Sequence, residues 1–146
     1  MKSIWFKTTT LEEINHWSKH QLMDSLGIEI TAIGDDYLEA KMPVDQKTLQ
    51  PMGCLHGGAT CVLAETIGSI GAHFCIDPSH YLCVGLEINV NHVKSMRSGW
   101  VYATAKPLHL GRSTQIWDIQ VRNDQNALVA VSRLTMAVLR KEKEKN

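Results

Sequence analysis

One acidic residue, Glu65, lies in the middle of a long stretch of the sequence that is almost free of charge. Between Gln46 and Ile76 the only formally charged residues are Lys47 and Glu65. If the stretch is helical, the residues three and four positions away are also uncharged: Cys61, Val62, Gly68 and Ser69. Burying such a carboxylate is costly unless it is hydrogen-bonded, protonated or paired with a cation from another element. Carboxylates of this kind are common in catalytic sites. The structural alternative is that Glu65 pairs with an Arg or Lys from another strand or lies at a solvent-exposed edge.

The segment His56-Gly57-Gly58 stands where the helix that carries Glu65 is expected to begin. The first N–H groups of a helix lack intrahelical acceptors and face the positive end of the dipole, so this end could hold a developing oxyanion. Glu65 lies about two turns farther on, roughly 12 Å at about 1.5 Å per residue. That distance is too long for both groups to act on one carbonyl. A second copy running antiparallel alongside would close the gap, so we expect a dimer with shared sites.

Other sequence features indicate chemistry more weakly. His16, His20 and Asp24 recur every four residues and could bind a metal, but a solvated helical face is the simpler interpretation and we expect no metal site. Cys54 lies two residues before His56, a poor geometry for a thiol–imidazole pair in a loop. The chain has no G-x-S-x-G elbow. Its four cysteines show no C-x-x-C or zinc-ligand spacing, so we expect reduced, mostly buried thiols.

Length, composition and charge narrow the functional classes. The 146 residues fit a single domain spanning 1–146, and the 15 basic and 15 acidic residues give no general attraction to nucleic acid or anionic membrane. The N-terminal residues lack the pattern of a signal peptide, and no apolar run approaches the roughly 20 residues of a membrane span. We therefore expect a cytoplasmic protein with no nucleic-acid or membrane partner and no cofactor.

The first part of the chain predicts a helix followed by a hairpin. The capping box Thr10-Leu-Glu-Glu13 starts the helix, which is expected to end at Gly27, and Ile14, Trp17 and Leu22 follow at roughly helical intervals. Alternating apolar residues then predict a half-buried hairpin formed by residues 28–33 and 37–42.

The remainder predicts one main helix and further strands. Residues 57–75 form the helix, and its many small residues indicate burial and close approach to other backbone. Strands are expected over 81–90, 100–105, 115–122 and 128–139. In the strand over 81–90 every second residue is apolar and these residues share one side: Leu82, Val84, Leu86, Ile88 and Val90. The expected fold is α+β, an antiparallel sheet wrapped on one helix, with the first ten residues and 140–146 as flexible ends.

A series of motifs resembles the hotdog-fold thioesterases of the Glu-containing 4-hydroxybenzoyl-CoA type. The main motif runs from Gln50 through His56-Gly57-Gly58 to Glu65 and Ser69. The others, in order, are Leu-Gly-Ile (26–28), Gly-Asp-Asp (34–36), Met-Pro-Val-Asp (42–45), Glu-Ile-Asn (87–89) and Pro-Leu-His-Leu-Gly-Arg (107–112). The likeness extends from Leu11 to about Leu139, and the nearest group is the bacterial aryl-CoA thioesterases of menaquinone and siderophore biosynthesis.

The resemblance implies a fold, a reaction and an assembly. The fold is the hotdog, an antiparallel sheet of about six strands around one long central helix. The reaction is hydrolysis of an aryl- or acyl-CoA thioester to the free acid and CoA. The assembly is a homo-oligomer, a dimer with active sites at its interface and usually a dimer of dimers.

By position, the resemblance also implies roles for five residues. Glu65 matches the catalytic carboxylate, acting as nucleophile or as general base on water, and Gly57 matches the oxyanion-hole amide. Gln50 and His56 match groups that position the thioester carbonyl, and Ser69 matches a hydroxyl near the attacking water. The structural alternatives are a capping or core histidine for His56 and plain packing roles for Gln50 and Ser69.

The substrate-binding positions are implied in the same way. Coenzyme A would be held by residues at the ends of strands: Gly85, His92, Val93, Lys94, Ser95, His109, Leu110, Gly111, Arg112, Ser113 and Thr114. Lys94 and Arg112 offer charge to phosphates, and the turn at Gly111 lets backbone N–H groups approach them. Ile70, beside Ser69, is expected to shape the acyl pocket.

Two rival functions are compatible with the residues. One is a hotdog 3-hydroxyacyl dehydratase or hydratase. It is disfavoured because His56 lies at the helix start rather than in a His-Phe-Pro type of loop. The other is a non-catalytic acyl-CoA-binding or regulatory module. It is disfavoured because the fold is expected to occupy the whole chain and leave no DNA-binding segment.

Overall fold

Three helices and six strands follow one another along residues 3–142, the part of the chain that the computed structural model describes. In chain order they are α1 (Leu11–Ser18), α2 (Gln21–Leu26), β1 (Glu29–Ile33), β2 (Leu38–Pro43), α3 (Gly57–Phe74), β3 (Tyr81–His92), β4 (Trp100–Leu110), β5 (Thr114–Asn123) and β6 (Leu128–Arg140). None of these helices combines the length and apolar character that a membrane crossing requires.

The six strands form one antiparallel sheet in the order β1-β2-β4-β5-β6-β3. Helix α3 packs across it and contacts β2 through β6. The core lies between them, and its largest fully buried side chain is Trp117 on β5. The predicted α+β hotdog architecture is thereby confirmed, with the hairpin of β1 and β2 at one edge and β3 at the other.

Helix α3 is rich in small residues because side chains of the sheet press closely against it. A Cβ at Gly68 would lie 2.5 Å from the Leu134 side chain, and one at Gly71 would lie 2.8 Å from the Trp117 ring. The sequence pattern predicted close approach to backbone, whereas the neighbours are these two side chains on β6 and β5. The glycines that weaken a free helix therefore allow this one to reach the sheet.

The expected first helix is two helices, which corrects the sequence prediction. Thr10 caps α1 with the predicted capping box, but Lys19 leaves helical geometry and the His20 side chain accepts from Met23 N–H to start α2. Gly27, at φ 67°, ends α2. Of the three apolar residues at helical intervals, Ile14 is buried, whereas Trp17 and Leu22 are each 52% exposed.

The strand over 81–90 exists, but only part of its alternating apolar set is buried. Within residues 3–142 β3 pairs only with β6, and a register irregularity lies between Gly85 and Glu87. Val84 is 41% and Leu86 62% exposed, whereas Ile88 and Val90, after the irregularity, are half-buried against the core. The irregularity and the edge position, which the residue pattern cannot reveal, explain this difference along the strand.

The two chain ends were predicted to be flexible. Residues 1–2 and 143–146 lie outside the described part of the chain. Residues 4–6 are held by hydrogen bonds: Ile4 N–H donates to Asp35 O at 3.0 Å and Phe6 N–H to Phe74 O at 2.9 Å. The N-terminal segment thus runs past the end of α3.

Candidate active site

Glu65 lies half-buried on the third turn of α3, facing the edge strand β3. The Ser69 hydroxyl, one turn later, donates to its Oε1 at 3.1 Å. Oε1 is also 2.7 Å from where a Cβ on Gly85 would stand, so bare backbone covers the carboxylate. Among the salt bridges of residues 3–142 none includes Glu65. The structural alternative of an Arg or Lys partner within the described chain therefore does not apply.

A cavity of about 460 Å³ opens beside Glu65 and runs along α3 towards its C-terminal end. Its walls are mostly apolar and include Ile70, Leu82, Cys83, Trp17 and His73. Ser69 and Glu65 lie together on its polar side. Ile70 lines this cavity, as expected from its place beside Ser69.

The start of α3 leaves one backbone donor free. His56 caps the helix, its Nδ1 accepting from Gly58 N–H at 2.8 Å, and its carbonyl accepts from Ala59 and Thr60. Within residues 3–142 the N–H of Gly57 has no acceptor. The capping alternative for His56 is thus realised, and the unsatisfied Gly57 donor fits the oxyanion role that was assigned to it.

Gln50 lies beside this helix start, in the loop that precedes α3. Its side-chain Nε2 donates to Cys54 Sγ at 2.8 Å, and its side-chain Oε1 accepts from Met52 N–H at 2.6 Å. Gln50 and Gly57 share a cavity of about 340 Å³ with His92, Val93, Lys94 and Ser95. The His92 imidazole contacts Gly57 most closely, 2.9 Å from where its Cβ would be.

The predicted residues therefore form two groups within one chain. Gly57, Gln50 and the segment 92–95 form a helix-start group, and Glu65, Ser69 and Gly85 form a carboxylate group. Glu65 follows Gly57 by eight positions on α3, about 12 Å along the helix axis. The two groups line different cavities, and the chain alone does not bring them onto one substrate atom.

The residues expected to hold coenzyme A are divided in the same way. Val93 and Lys94 donate their N–H groups to Val129 O, near the start of β6. The Ser113 carbonyl instead accepts from Val138 N–H, near its end. These β6 residues are nine positions apart, roughly 30 Å at about 3.3 Å per residue. Segments 92–95 and 109–114 thus lie at opposite ends of the sheet, and Lys94 and Arg112 do not meet within one chain.

Segment 109–114 forms the end of β4, the tight turn and the first residue of β5. His109 and Leu110 lie within β4, which extends five residues beyond the predicted strand. Gly111 N–H donates to Thr114 O at 2.9 Å, and a side chain on Gly111 would collide with the His109 imidazole. Arg112 and Ser113 are exposed at the tip of the turn.

Trp17 and His73 form an aromatic pair beside Glu65 that the sequence did not indicate. Their rings stack with centroids 4.0 Å apart and planes 13° from parallel, and both line the cavity of Glu65. The sequence placed Trp17 on the first helix, and His73 stands 56 positions later. His73 follows Glu65 and Ser69 at intervals of four, a spacing that could have placed it on the same helical face.

The four cysteines are free and half-buried rather than mostly buried. Burial, followed by the neighbouring Cys83, raises the pKa of Cys75 to about 12, and burial raises the pKa of Cys83 to about 11. These thiols are protonated at neutral pH and make poor nucleophiles. Residues 3–142 contain no group of three or more His, Cys, Asp or Glu side chains placed to hold a metal ion.

Comparison with known proteins identifies relatives across nearly the whole chain. Residues 52–130 match the family model described as the thioesterase superfamily. The 1,4-dihydroxy-2-naphthoyl-CoA hydrolase of Escherichia coli is 48% identical, over 93% of this chain and 99% of that protein. The proofreading thioesterase EntH of Cronobacter turicensis is 44% identical, over 93% and 98%. The structure of thioesterase HI1161 from Haemophilus influenzae superposes with a TM-score of 0.91 at 46% identity, covering 98% of this chain and 99% of that one.

Proposed function

The chain belongs to the thioesterase superfamily and is a thioester hydrolase, and from that premise we propose that it cleaves aryl-CoA thioesters with Glu65 as the catalytic carboxylate. The observation that carries the assignment of Glu65 is its placement. It is a half-buried acid without a cation partner in residues 3–142, hydrogen-bonded to Ser69 and open to an apolar cavity. An acyl group in that cavity would present its thioester carbon to the carboxylate.

Two chemical routes are open to Glu65. As a nucleophile, it would add to the thioester carbon, expel the CoA thiolate and form a mixed anhydride that water hydrolyses. As a general base, it would take a proton from water while that water adds to the same carbon, and the resulting tetrahedral intermediate would break its C–S bond and release the CoA thiol with that proton. In both routes the carbonyl oxygen becomes negatively charged, and the free Gly57 N–H would stabilise it. The Ser69 hydroxyl would orient Glu65 or the water.

We further propose that the carboxylate group of one subunit completes the helix-start group of another. β3 is a 12-residue edge strand with exposed apolar residues at Val84 and Leu86. Uncovered edges of this length are normally paired or protected. Antiparallel pairing of β3 with its own copy would form a symmetric interface. Because Gly57 adjoins His92 and Glu65 adjoins Gly85, pairing those two ends of β3 would bring each Gly57 close to the other subunit's Glu65.

The same pairing accounts for the divided coenzyme A residues. Lys94 lies beside the helix-start group, and Arg112 lies at the same end of the sheet as Gly85. In a paired dimer these ends meet, so both cations could face one nucleotide. A dimer of such dimers is the tetramer that we propose for the working enzyme.

For the acyl group we propose an aromatic acid such as 1,4-dihydroxy-2-naphthoic acid, which would place the enzyme in menaquinone biosynthesis. The support is the substrate named for the Escherichia coli relative, together with the stacked Trp17 and His73 in the cavity beside Glu65. We propose a cytoplasmic location because CoA thioesters are made there, and the four free cysteines suit a reducing compartment.

The variant Glu65→Gln tests the catalytic assignment. It keeps size and hydrogen bonding but removes the charge. We expect turnover to fall by two decades or more, about 3 kcal/mol of barrier, while binding of CoA thioesters is largely kept. Thiol release from benzoyl-CoA and a panel of aliphatic acyl-CoAs, compared with the wild type, measures this. Near-normal hydrolysis in the variant would end the proposal.

Subunit mixing tests the shared site. Gly57→Val would place a side chain against His92 and obstruct the oxyanion amide, whereas Glu65→Gln damages the other group. Each variant alone should be inactive. After mixing through mild denaturation and refolding, hybrid dimers contain one intact site, and about a quarter of wild-type activity should return. Full wild-type activity from a species shown by light scattering to be monomeric would refute the shared site.

A further inference from the structure

Two cavities meet at one pair of rings, Trp17 on α1 and His73 on α3. The cavity of Glu65, about 460 Å³, is lined by both rings. A second cavity of about 430 Å³, bounded by the N-terminal segment and the end of α3, is lined by the same two residues. Within residues 3–142 no other residue lines both cavities. The stacked rings therefore border both cavities, and we refer to them as the partition.

The outer cavity has the chemistry of a site for an alkyl chain. Its apolar walls include Phe6, Phe74, Ile76 and Pro78, and charged side chains such as Lys7 and Lys141 stand among its lining. Phe74 meets Trp17 edge to face, with centroids 5.4 Å apart, so the apolar surface continues from the partition into the outer cavity. An apolar chain entering it would be removed from water.

The inner cavity is aligned with the reacting group. Glu65, Ser69 and His73 follow one another at intervals of four on α3, so they lie along one helical face. The distance from Glu65 to His73 along the axis is about 12 Å. An acyl group with its carbonyl at Glu65 would extend along this face and end against the partition.

We propose that the stacked pair of Trp17 and His73 is the end wall of the acyl pocket and limits the length of the acyl group that the enzyme accepts. This inference rests on the proposed function, because it places the acyl group in the cavity of Glu65. A flat aromatic acyl group fits in front of the wall and can contact the ring of Trp17. A long linear acyl chain meets the wall before its carbonyl reaches Glu65, and the outer cavity, which could hold the rest of the chain, is closed to it.

Removing the wall should therefore lengthen the pocket. In Trp17→Ala the two cavities become continuous, and we expect the ratio of kcat/KM for tetradecanoyl-CoA to that for benzoyl-CoA to rise at least about tenfold. His73→Ala should move the ratio in the same direction. Trp17→Phe keeps a ring against His73 and should stay near the wild-type ratio. Trp17 is 52% exposed, so these changes leave the core intact, which thermal unfolding checks.

Phe6→Ala is the matched control. Phe6 is an exposed aromatic residue that lines the outer cavity but not the cavity of Glu65, so its loss alone should leave the ratio unchanged. In the Trp17→Ala background Phe6→Ala should lower tetradecanoyl-CoA hydrolysis, because the longer chain would then contact Phe6. Additive effects of the two changes would contradict a continuous pocket.

The outcomes separate this inference from the proposed function. If the wild type releases no thiol from any thioester, or does so equally well without Glu65, the proposed function fails and the inference fails with it. If benzoyl-CoA hydrolysis depends on Glu65 but Trp17→Ala leaves the chain-length profile unchanged, only the wall is refuted. An equal loss on every substrate also refutes it, because Trp17 then supports the fold rather than the length limit.

Discussion

The carboxylate of Glu65 occupies the space that a side chain on residue 85 would need. A Cβ on Gly85 would lie 2.7 Å from Oε1 and 3.6 Å from the carboxyl carbon. Strand β3 thus passes over the acid with bare backbone while Ser69 holds Oε1 from the helix. Gly85, assigned to coenzyme A by resemblance, is placed by the structure against the carboxylate itself.

Gly85→Ala should therefore damage catalysis without damaging the fold. The added methyl group would push Glu65 away from Ser69, and misplacement on this scale costs about tenfold or more in kcat. Residue 85 is exposed on an edge strand, so the melting temperature should hardly change. Steady-state kinetics on benzoyl-CoA and a thermal melt measure the two effects.

A double variant tests whether Gly85→Ala lowers activity by displacing Glu65. If the methyl group acts through Glu65, Gly85→Ala should cost little more once Glu65→Gln is present. Full additivity would mean that residue 85 acts on substrate binding or on assembly instead.

Removal of one cation, by Lys94→Ala or Arg112→Ala, should raise KM and leave kcat nearly unchanged. Both side chains are exposed at strand ends, where they would face phosphates that do not change during hydrolysis. A partly exposed charge-assisted contact is worth on the order of 1–2 kcal/mol, which corresponds to a rise of roughly five- to thirtyfold. The effect should shrink as salt increases.

Truncated thioesters provide the control for these two variants. N-Acetylcysteamine esters lack the nucleotide, so their kinetics should not respond to either substitution. Equal slowing of truncated and full substrates would show that Lys94 and Arg112 act on the fold or on the chemistry. Since the two residues lie at opposite ends of one sheet, an effect of both on one substrate would also favour the paired dimer.

Local signals allowed much of this site to be predicted from the sequence. Three of these signals involve only residues that are close in sequence. They are an acid without charged neighbours, a glycine pair at a helix start and small residues along one helix. The structure places Glu65, Ser69 and Gly57 on α3 as those signals indicate. The strand alternation likewise predicted the six strands.

Features that depend on topology could not be predicted in this way. The burial of β3 depends on its edge position and on the irregularity after Gly85, and the separation of residues 92–95 from 109–114 depends on the register of β6. The break between α1 and α2 depends on a histidine side chain that caps the second helix, and histidine is not among the usual capping residues. The contact between Trp17 and His73 joins two helices whose packing no local pattern specifies.

Cys75 and Cys83 should resist alkylation in the folded protein. Burial raises their pKa values to about 12 and about 11, so little thiolate is present at neutral pH. Iodoacetamide labelling followed by peptide mass spectrometry should show both residues reacting at least about tenfold more slowly than in the unfolded chain. Equal rates in the folded and unfolded protein would contradict this prediction.

His73 should make the stability of the fold depend on pH. Burial, and next the positive charge of Lys141, lower its pKa below the ordinary value of 6.5. The unfolded chain therefore binds a proton more readily than the folded one, so this contribution to stability is fully present above about pH 6.5 and is lost as the pH falls through the lowered pKa. We expect the melting temperature to drop between about pH 8 and about pH 5. His73→Phe keeps a ring against Trp17 but cannot titrate, so its drop should be smaller. Carboxylates and the other histidines contribute equally to both proteins, so the difference between the two pH profiles isolates His73, and identical profiles would show that its protonation is not linked to folding.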